Sequence, residues 1–208
     1  MRPERKLFIS IILIWLFNIS GIIGILIGYD DWFLPLTPFN LLLYLVLILW
    51  NAKVNKSLIL GLLIPFSIGM ITEYLGVNYG LIFGNYQYGN NLGSKILGVP
   101  WIIGVNWALL VYCTVAISKK IHSNLFVTSF IGAVLMVALD IIIEVSAPRF
   151  DFWEFDSGLV PLQNYIGWLV VAFIAIFLFQ KVCKTLQYTV SVHTFIAIFI
   201  FFTTFLFY

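Results

Sequence analysis

Charge is what this sequence has least of. Its 208 residues include 11 lysines and arginines and 9 aspartates and glutamates, 10% charged in all, where soluble domains run at about a quarter. With a mean hydropathy of +1.06, the composition excludes an ordinary soluble domain and indicates a membrane protein. Histidine is scarcer still. His122 and His193 both fall at the same edge of the apolar runs, away from the acids, which argues against a histidine triad or a histidine–carboxylate metal site. Cys113 and Cys183 have no CxxC partner and read as small buried apolar residues. No glycine-rich phosphate or dinucleotide loop is present. Paired aspartate clusters of the DDxxD kind are absent too, which argues against magnesium–diphosphate chemistry. The last apolar run, VSVHTFIAIFIFFTTFLFY, holds no lysine for a retinal Schiff base.

What the chain has is hydrophobic runs. A membrane-spanning helix needs about 20 mostly apolar residues. Seven spans are expected: 7–28, 38–50 with a proline-containing entry from Phe33, 58–75, 99–117, 124–145, 164–180 and 190–208. The expected fold is therefore an all-α polytopic bundle forming a single integral-membrane domain, 1–208. The opening MRPERK and its apolar run resemble a signal peptide, but the run is too long and no small-residue cleavage site follows, so it reads as an uncleaved first span. Seven spans put Arg2, Arg5, Lys6, Lys53, Lys56, Lys119, Lys120, Lys181 and Lys184 on one side, and Lys95 and Arg149 on the other. By the positive-inside rule the N-terminus is cytoplasmic. The formal net charge of +2 follows from that bias and gives no reason to expect nucleic acid. The expected location is the inner cell membrane.

Six of the acids cluster. Glu73 closes the third span, Asp140 and Glu144 close the fifth, and Asp151, Glu154 and Asp156 follow in the next loop. All are expected near the extracytoplasmic leaflet. Asp140 and Glu144 are four residues apart, hence one turn apart on one helix face. Two carboxylates that close cannot both ionise comfortably, so the pair is expected to hold a proton between them. Intramembrane acids are costly and usually face the bundle interior. Around them aromatics are dense: Tyr74, Tyr79, Tyr86, Tyr88, Trp101, Trp107, Trp153, Tyr165 and Trp168. Trp107 and Trp168 each lie seven residues after a proline that opens a span, Pro100 and Pro161, about two turns in on nearly the same face. The recurrence suggests that spans three and four repeat as spans five and six. Glycines at 76, 80, 84, 89 and 93 indicate a tight outer loop that lines a cavity. Carboxyls beside aromatic faces suit acid chemistry on an isolated alkene: one acid protonates the double bond, π-faces stabilise the cation, and a second carboxylate handles water or a proton.

The segments EYLGVNYGLIFGNYQYGNNLGSKILGVP, DIIIEVSAP, FWEF and VPLQNYIGW together resemble the membrane carotenoid 1,2-hydratase family, which includes bisanhydrobacterioruberin and γ-carotene hydratases. The resemblance covers residues 69–170, in order. It implies addition of water across the terminal C1=C2 bond of an acyclic carotenoid end (lycopene, γ-carotene or a C50 precursor), giving a tertiary alcohol without a cofactor. By resemblance, Glu73, Asp140 and Glu144 are the catalytic acids. Tyr74, Asn78, Tyr86, Tyr88, Trp153, Gln163, Asn164, Tyr165 and Trp168 contact substrate, and the spacing argument adds Trp107. One departure is that Pro148 stands four residues after Glu144 rather than next to it, which bears on the depth of that acid. The implied partners are the carotenoid in the bilayer, water, and neighbouring enzymes of the same pathway. Two alternatives stay open: an end-group cyclase sharing the protonation step, and a non-enzymatic transporter or carotenoid-binding protein.

Overall fold

The computed structural model describes residues 2–208. Helix α1 spans Pro3–Leu26; a short α2, Asp30–Phe33, and a 3-10 turn, Leu34–Leu36, lead into α3, Thr37–Asn51. Helix α4 runs Lys56–Tyr79. A loop then carries three short strands, β1 Tyr86–Tyr88, β2 Lys95–Ile96 and β3 Val99–Pro100, before α5, Trp101–Ile121. After α6, Leu125–Ser146, a second loop contributes β4, Trp153–Phe155, and the chain ends in α7, Leu162–Val182, and α8, Tyr188–Thr204.

The fold is an all-α membrane bundle. Six helical stretches are long and apolar enough to cross a membrane, the 22-residue Asp30–Asn51 counting as one; α8, at 17 residues, is apolar but shorter. A helix of that length rises about 25 Å, short of a hydrocarbon core of about 30 Å. The seventh expected span is thus present as a helix of less than full span length. Starts and stops follow local chemistry. Asn55 and Asn124 cap α4 and α6 by accepting backbone N–H groups, Pro100 and Pro161 precede α5 and α7, and Gly80 ends α4 with φ of 64°.

Helix α5 is the central pillar: 83% of its apolar window is buried, against 22–44% for the other candidate spans. It packs against α3, α4, α6, α7 and α8, and the large apolar side chains left exposed, such as Phe8, Leu16, Phe130 and Ile174, point outward from the surrounding helices, the pattern expected of faces that meet lipid.

Around this pillar α4–β1–α5 and α6–β4–α7 form matching units. Strand β1 pairs antiparallel with β4, Gln87 opposite Glu154 at the centre. Counting back fourteen residues from each central position gives Glu73 on α4 and Asp140 on α6. Helices α5 and α7 are both 21 residues long and both start directly after a proline. Their tryptophans, Trp107 and Trp168, stack on one another with ring centroids 4.4 Å apart and planes 13° apart. The repeat suggested by spacing therefore appears as two units in contact, meeting at a strand pair above and a tryptophan pair below.

Candidate active site

Glu73 lies in α4 six residues before the helix end and is 4% exposed. Three donors converge on its carboxylate. Tyr88 Oη donates to Oε2 at 2.7 Å, Tyr86 Oη donates to the same oxygen, and Trp107 Nε1 donates to Oε1 at 3.0 Å. Two glycines on the same helix make room for them. A Cβ on Gly69 would lie 2.4 Å from the Trp107 ring, and one on Gly76 would lie 2.8 Å from Tyr86. Spacing of four and three residues from Glu73 keeps all three positions on one face. Burial, and then the charge of Glu73, push the Tyr86 and Tyr88 phenols well above the ordinary value of 10. Both therefore stay neutral and able to donate.

The second unit supplies the other two acids. Asp140 is 2% and Glu144 7% exposed, one turn apart on α6. Asn164 of α7 bridges them, its Nδ2 donating to Asp140 Oδ2 at 2.8 Å and to Glu144 Oε1 at 3.3 Å. Trp153 of β4 donates Nε1 to Glu144 Oε2 at 2.9 Å. Arg149, in the loop after α6, donates to the carbonyls of Phe205, at 2.7 Å, and Tyr208, capping α8. Donors that neutralise nothing surround all three acids.

Glu73, Asp140 and Glu144 line one cavity of about 20 Å³, a volume that suits about one water molecule. Tyr86, Tyr88, Trp107, Trp153, Asn164 and Trp168 also line it. Four other candidates do not, because neighbouring residues on a helix point about 100° apart. Tyr74 is hydrogen-bonded to Tyr79, Oη to Oη, at 3.3 Å. Asn78 donates to Leu97 O at 2.9 Å and ties the β2–β3 hairpin to α4. Gln163 donates to Gly80 O at 3.3 Å, joining α7 to the end of α4. Tyr165, half-buried, follows Asn164 on α7 but lies off the cavity wall.

Sequence reasoning passed over four lining residues: Phe83, Ile103, Asn106 and Phe155. Phe83 covers the tryptophan stack, its ring 6.4 Å from Trp107 and 6.1 Å from Trp168. Its place depends on Ile82, which adopts φ of 68°, a conformation no sequence pattern announces for isoleucine. Asn106 was legible, as a lone amide inside an apolar span next to Trp107. Beyond this small cavity lies an apolar chamber of about 650 Å³, walled by α1, α3 and α8, which shares Ile103, Asn106 and Trp153 with it.

Fold and site together define an all-α polytopic membrane protein with three buried carboxylates held among aromatic donors at the contact of two repeated units. The chain belongs to the carotenoid biosynthesis protein family, whose pattern it matches over residues 36–208. It is similar to the bisanhydrobacterioruberin hydratase of Haloarcula japonica, 30% identical over an alignment of 118 residues that covers 52% of this chain and 40% of that relative. The aligned part is thus less than half of the relative's length. No solved structure matches the chain.

Proposed function

We propose that this protein is a carotenoid hydratase that adds water across the terminal double bond of an acyclic carotenoid end by acid catalysis. The observation that carries the proposal is the water-sized cavity walled by three buried carboxylates and separated from an apolar chamber by a shared wall of Ile103, Asn106 and Trp153. A hydrocarbon alkene and water have few other reasons to meet beside such a set of groups. The similarity to a named hydratase supports the same reading.

The hydrogen-bond pattern suggests the division of labour. Glu73 accepts from three donors, which fix its carboxyl group in place at the cavity wall. Asp140 and Glu144 share one amide donor, an environment in which a proton on the pair relieves their repulsion. In the proposed cycle the pair gives its proton to C2 and leaves a tertiary cation at C1. The carboxyl oxygens of Glu73, held by their donors, and the tryptophan faces stabilise that positive charge. Water then adds to C1, and the proton it loses returns to the Asp140/Glu144 pair. One C–H and one C–O bond form, the π bond is consumed, and the acids end as they began. No cofactor enters. The lysine and arginine bias supports a site toward the extracytoplasmic leaflet of the cell membrane.

Expression in a bacterial host that accumulates lycopene, followed by chromatography and mass spectrometry of the pigments, tests the proposal. Products heavier by one or two waters are expected, and they should vanish in Glu73→Gln, Asp140→Asn and Glu144→Gln. A product of unchanged mass with shifted absorption would replace the proposal with a cyclase. Unaltered lycopene, γ-carotene and C50 precursor would replace it with a binding or transport role.

A further inference from the structure

The cavity beside the acids has the volume of about one water molecule, so the carbon that reacts must lie at its rim. Three residues belong both to this cavity and to the wall of the larger chamber: Ile103, Asn106 and Trp153. Ile103 has no polar side-chain atom. Trp153 has one, an N–H that can only donate, and it is given to Glu144 Oε2 at 2.9 Å. Asn106 alone of the three brings uncommitted polar atoms. From Ile102 to Ala116 on α5 it is also the one residue that is not buried. On the same stretch Trp107 donates to Glu73 at 3.0 Å, Thr114 donates to Leu110 O at 2.8 Å and Tyr112 Oη accepts from Gln187 N at 2.8 Å, whereas no hydrogen bond ties down the Asn106 amide among the described residues.

Its depth matches that of the acids. Asn106 is five residues from the start of α5, about 7.5 Å in, and Glu73 and Asp140 are each six residues, about 9 Å, from the ends of α4 and α6 on the same side of the bundle. An amide placed here differs from a carboxylate in a way that decides products. A tertiary cation at C1 has three exits. Water can add to it, a proton can leave C2 or a methyl group to restore an alkene, or a second double bond can capture it. A carboxylate serves the first two alike, because it takes a proton from water or from carbon. The amide oxygen accepts a hydrogen bond but is far too weak a base to take a proton from carbon. It can hold water against the cation without opening the second exit.

We propose that Asn106 is the residue that turns the cation toward the alcohol: its Oδ1 accepts a hydrogen bond from one O–H of the reacting water and fixes a lone pair toward C1. The second O–H is directed at the Asp140/Glu144 pair, which lines the same cavity. As the C–O bond forms from that lone pair, the O–H bond facing the acids breaks and its proton passes to the pair. Asn106 leaves the step as it entered. It touches the water that reacts and is a catalytic residue of the capture step, not of the protonation before it. The inference rests on the hydratase reading, and its test compares two fates of one cation so that the two can fail separately.

The full chain in detergent is given lycopene, γ-carotene or a C50 precursor in deuterium oxide. Mass spectrometry then counts the alcohol formed and the deuterium gained by recovered alkene, double-bond isomers included. Each deuterium in recovered alkene records a cation that formed and reverted. In Asn106→Leu the alcohol is expected to fall about tenfold while deuterium uptake by the alkene holds or rises, so the ratio of reversal to hydration increases by about tenfold or more. A residue that only supports the fold, or that aids protonation, lowers both together. A ratio within about twofold of wild type would therefore overturn the proposal. Asn106→Val and Asn106→Thr have nearly the same shape and differ by one hydroxyl, and they decide alone should the leucine variant fail to fold. Threonine is expected to keep the ratio at least about threefold below that of valine, the worth of one hydrogen bond; equal ratios would overturn the proposal. Normal hydration by the wild type beside an unmoved ratio in the variants sinks the Asn106 assignment alone. Wild-type protein that forms no alcohol from any of the three polyenes sinks the hydratase reading and the assignment with it.

Discussion

Gly69→Ala isolates the geometry around Glu73. Gly69 lies inside α4 with ordinary helical backbone, so alanine fits the chain and adds helix propensity worth about 1 kcal/mol. What it lacks is space. Its Cβ would lie 2.4 Å from the Trp107 ring, and ordinary contact begins near 3.4 Å, so the indole must retreat by about 1 Å. Trp107 Nε1 now sits 3.0 Å from Glu73 Oε1; a retreat of that size takes it out of hydrogen-bond range. A hydrogen bond to a charged group is worth about 1.5–3 kcal/mol, and the stack on Trp168 is displaced with it. Overpacking costs about 1–3 kcal/mol, partly offset by the helix propensity, so thermal unfolding in detergent should move little. Turnover should fall further, by about tenfold to a hundredfold, measured as alcohol formed per mole of purified protein. Turnover within twofold of wild type, with a folded protein, would refute the idea that Trp107 acts through its bond to Glu73.

Asp140→Asn and Glu144→Gln should each lower hydration by about 10²–10⁴, and the double variant should be little worse than the slower single one, because the two share one proton. Additive losses would show that they act separately. Ultraviolet titration of the ten tyrosines should show Tyr86 and Tyr88 absent from the ionisation step near the ordinary value of 10. Their folded values are raised, so any stability they contribute is complete below pH 10 and is lost only as pH rises through those higher values; Tyr86→Phe and Tyr88→Phe should leave the amplitude of the ordinary step unchanged. Asn106→Leu, at the wall common to cavity and chamber, should reduce the rate about tenfold while leaving polyene binding intact.

Much of the bundle is legible because apolar runs and charge-bearing turns alternate with little ambiguity. Glu73, Asp140 and Glu144 stand out because acids inside spans are costly, and the proline-to-tryptophan spacing at Trp107 and Trp168 points to a repeat through residue order alone. Contacts that join distant loops are not legible. The pairing of Tyr86–Tyr88 with Trp153–Phe155 needs both units folded and facing each other, and no local pattern encodes it. Helix faces are another limit. The motif around Asn164 puts Gln163 and Tyr165 beside it in sequence, yet one residue of rotation sends them elsewhere.

The most direct test of the central claim is conversion of lycopene by the purified full chain in water enriched in heavy oxygen and deuterium. Addition of water by protonation at C2 predicts an alcohol carrying, for each hydrated end, one heavy oxygen in its hydroxyl and one new deuterium on C2, with no other non-exchangeable label. A converted pigment without heavy oxygen would contradict it, since the cation would then have been captured by something other than water.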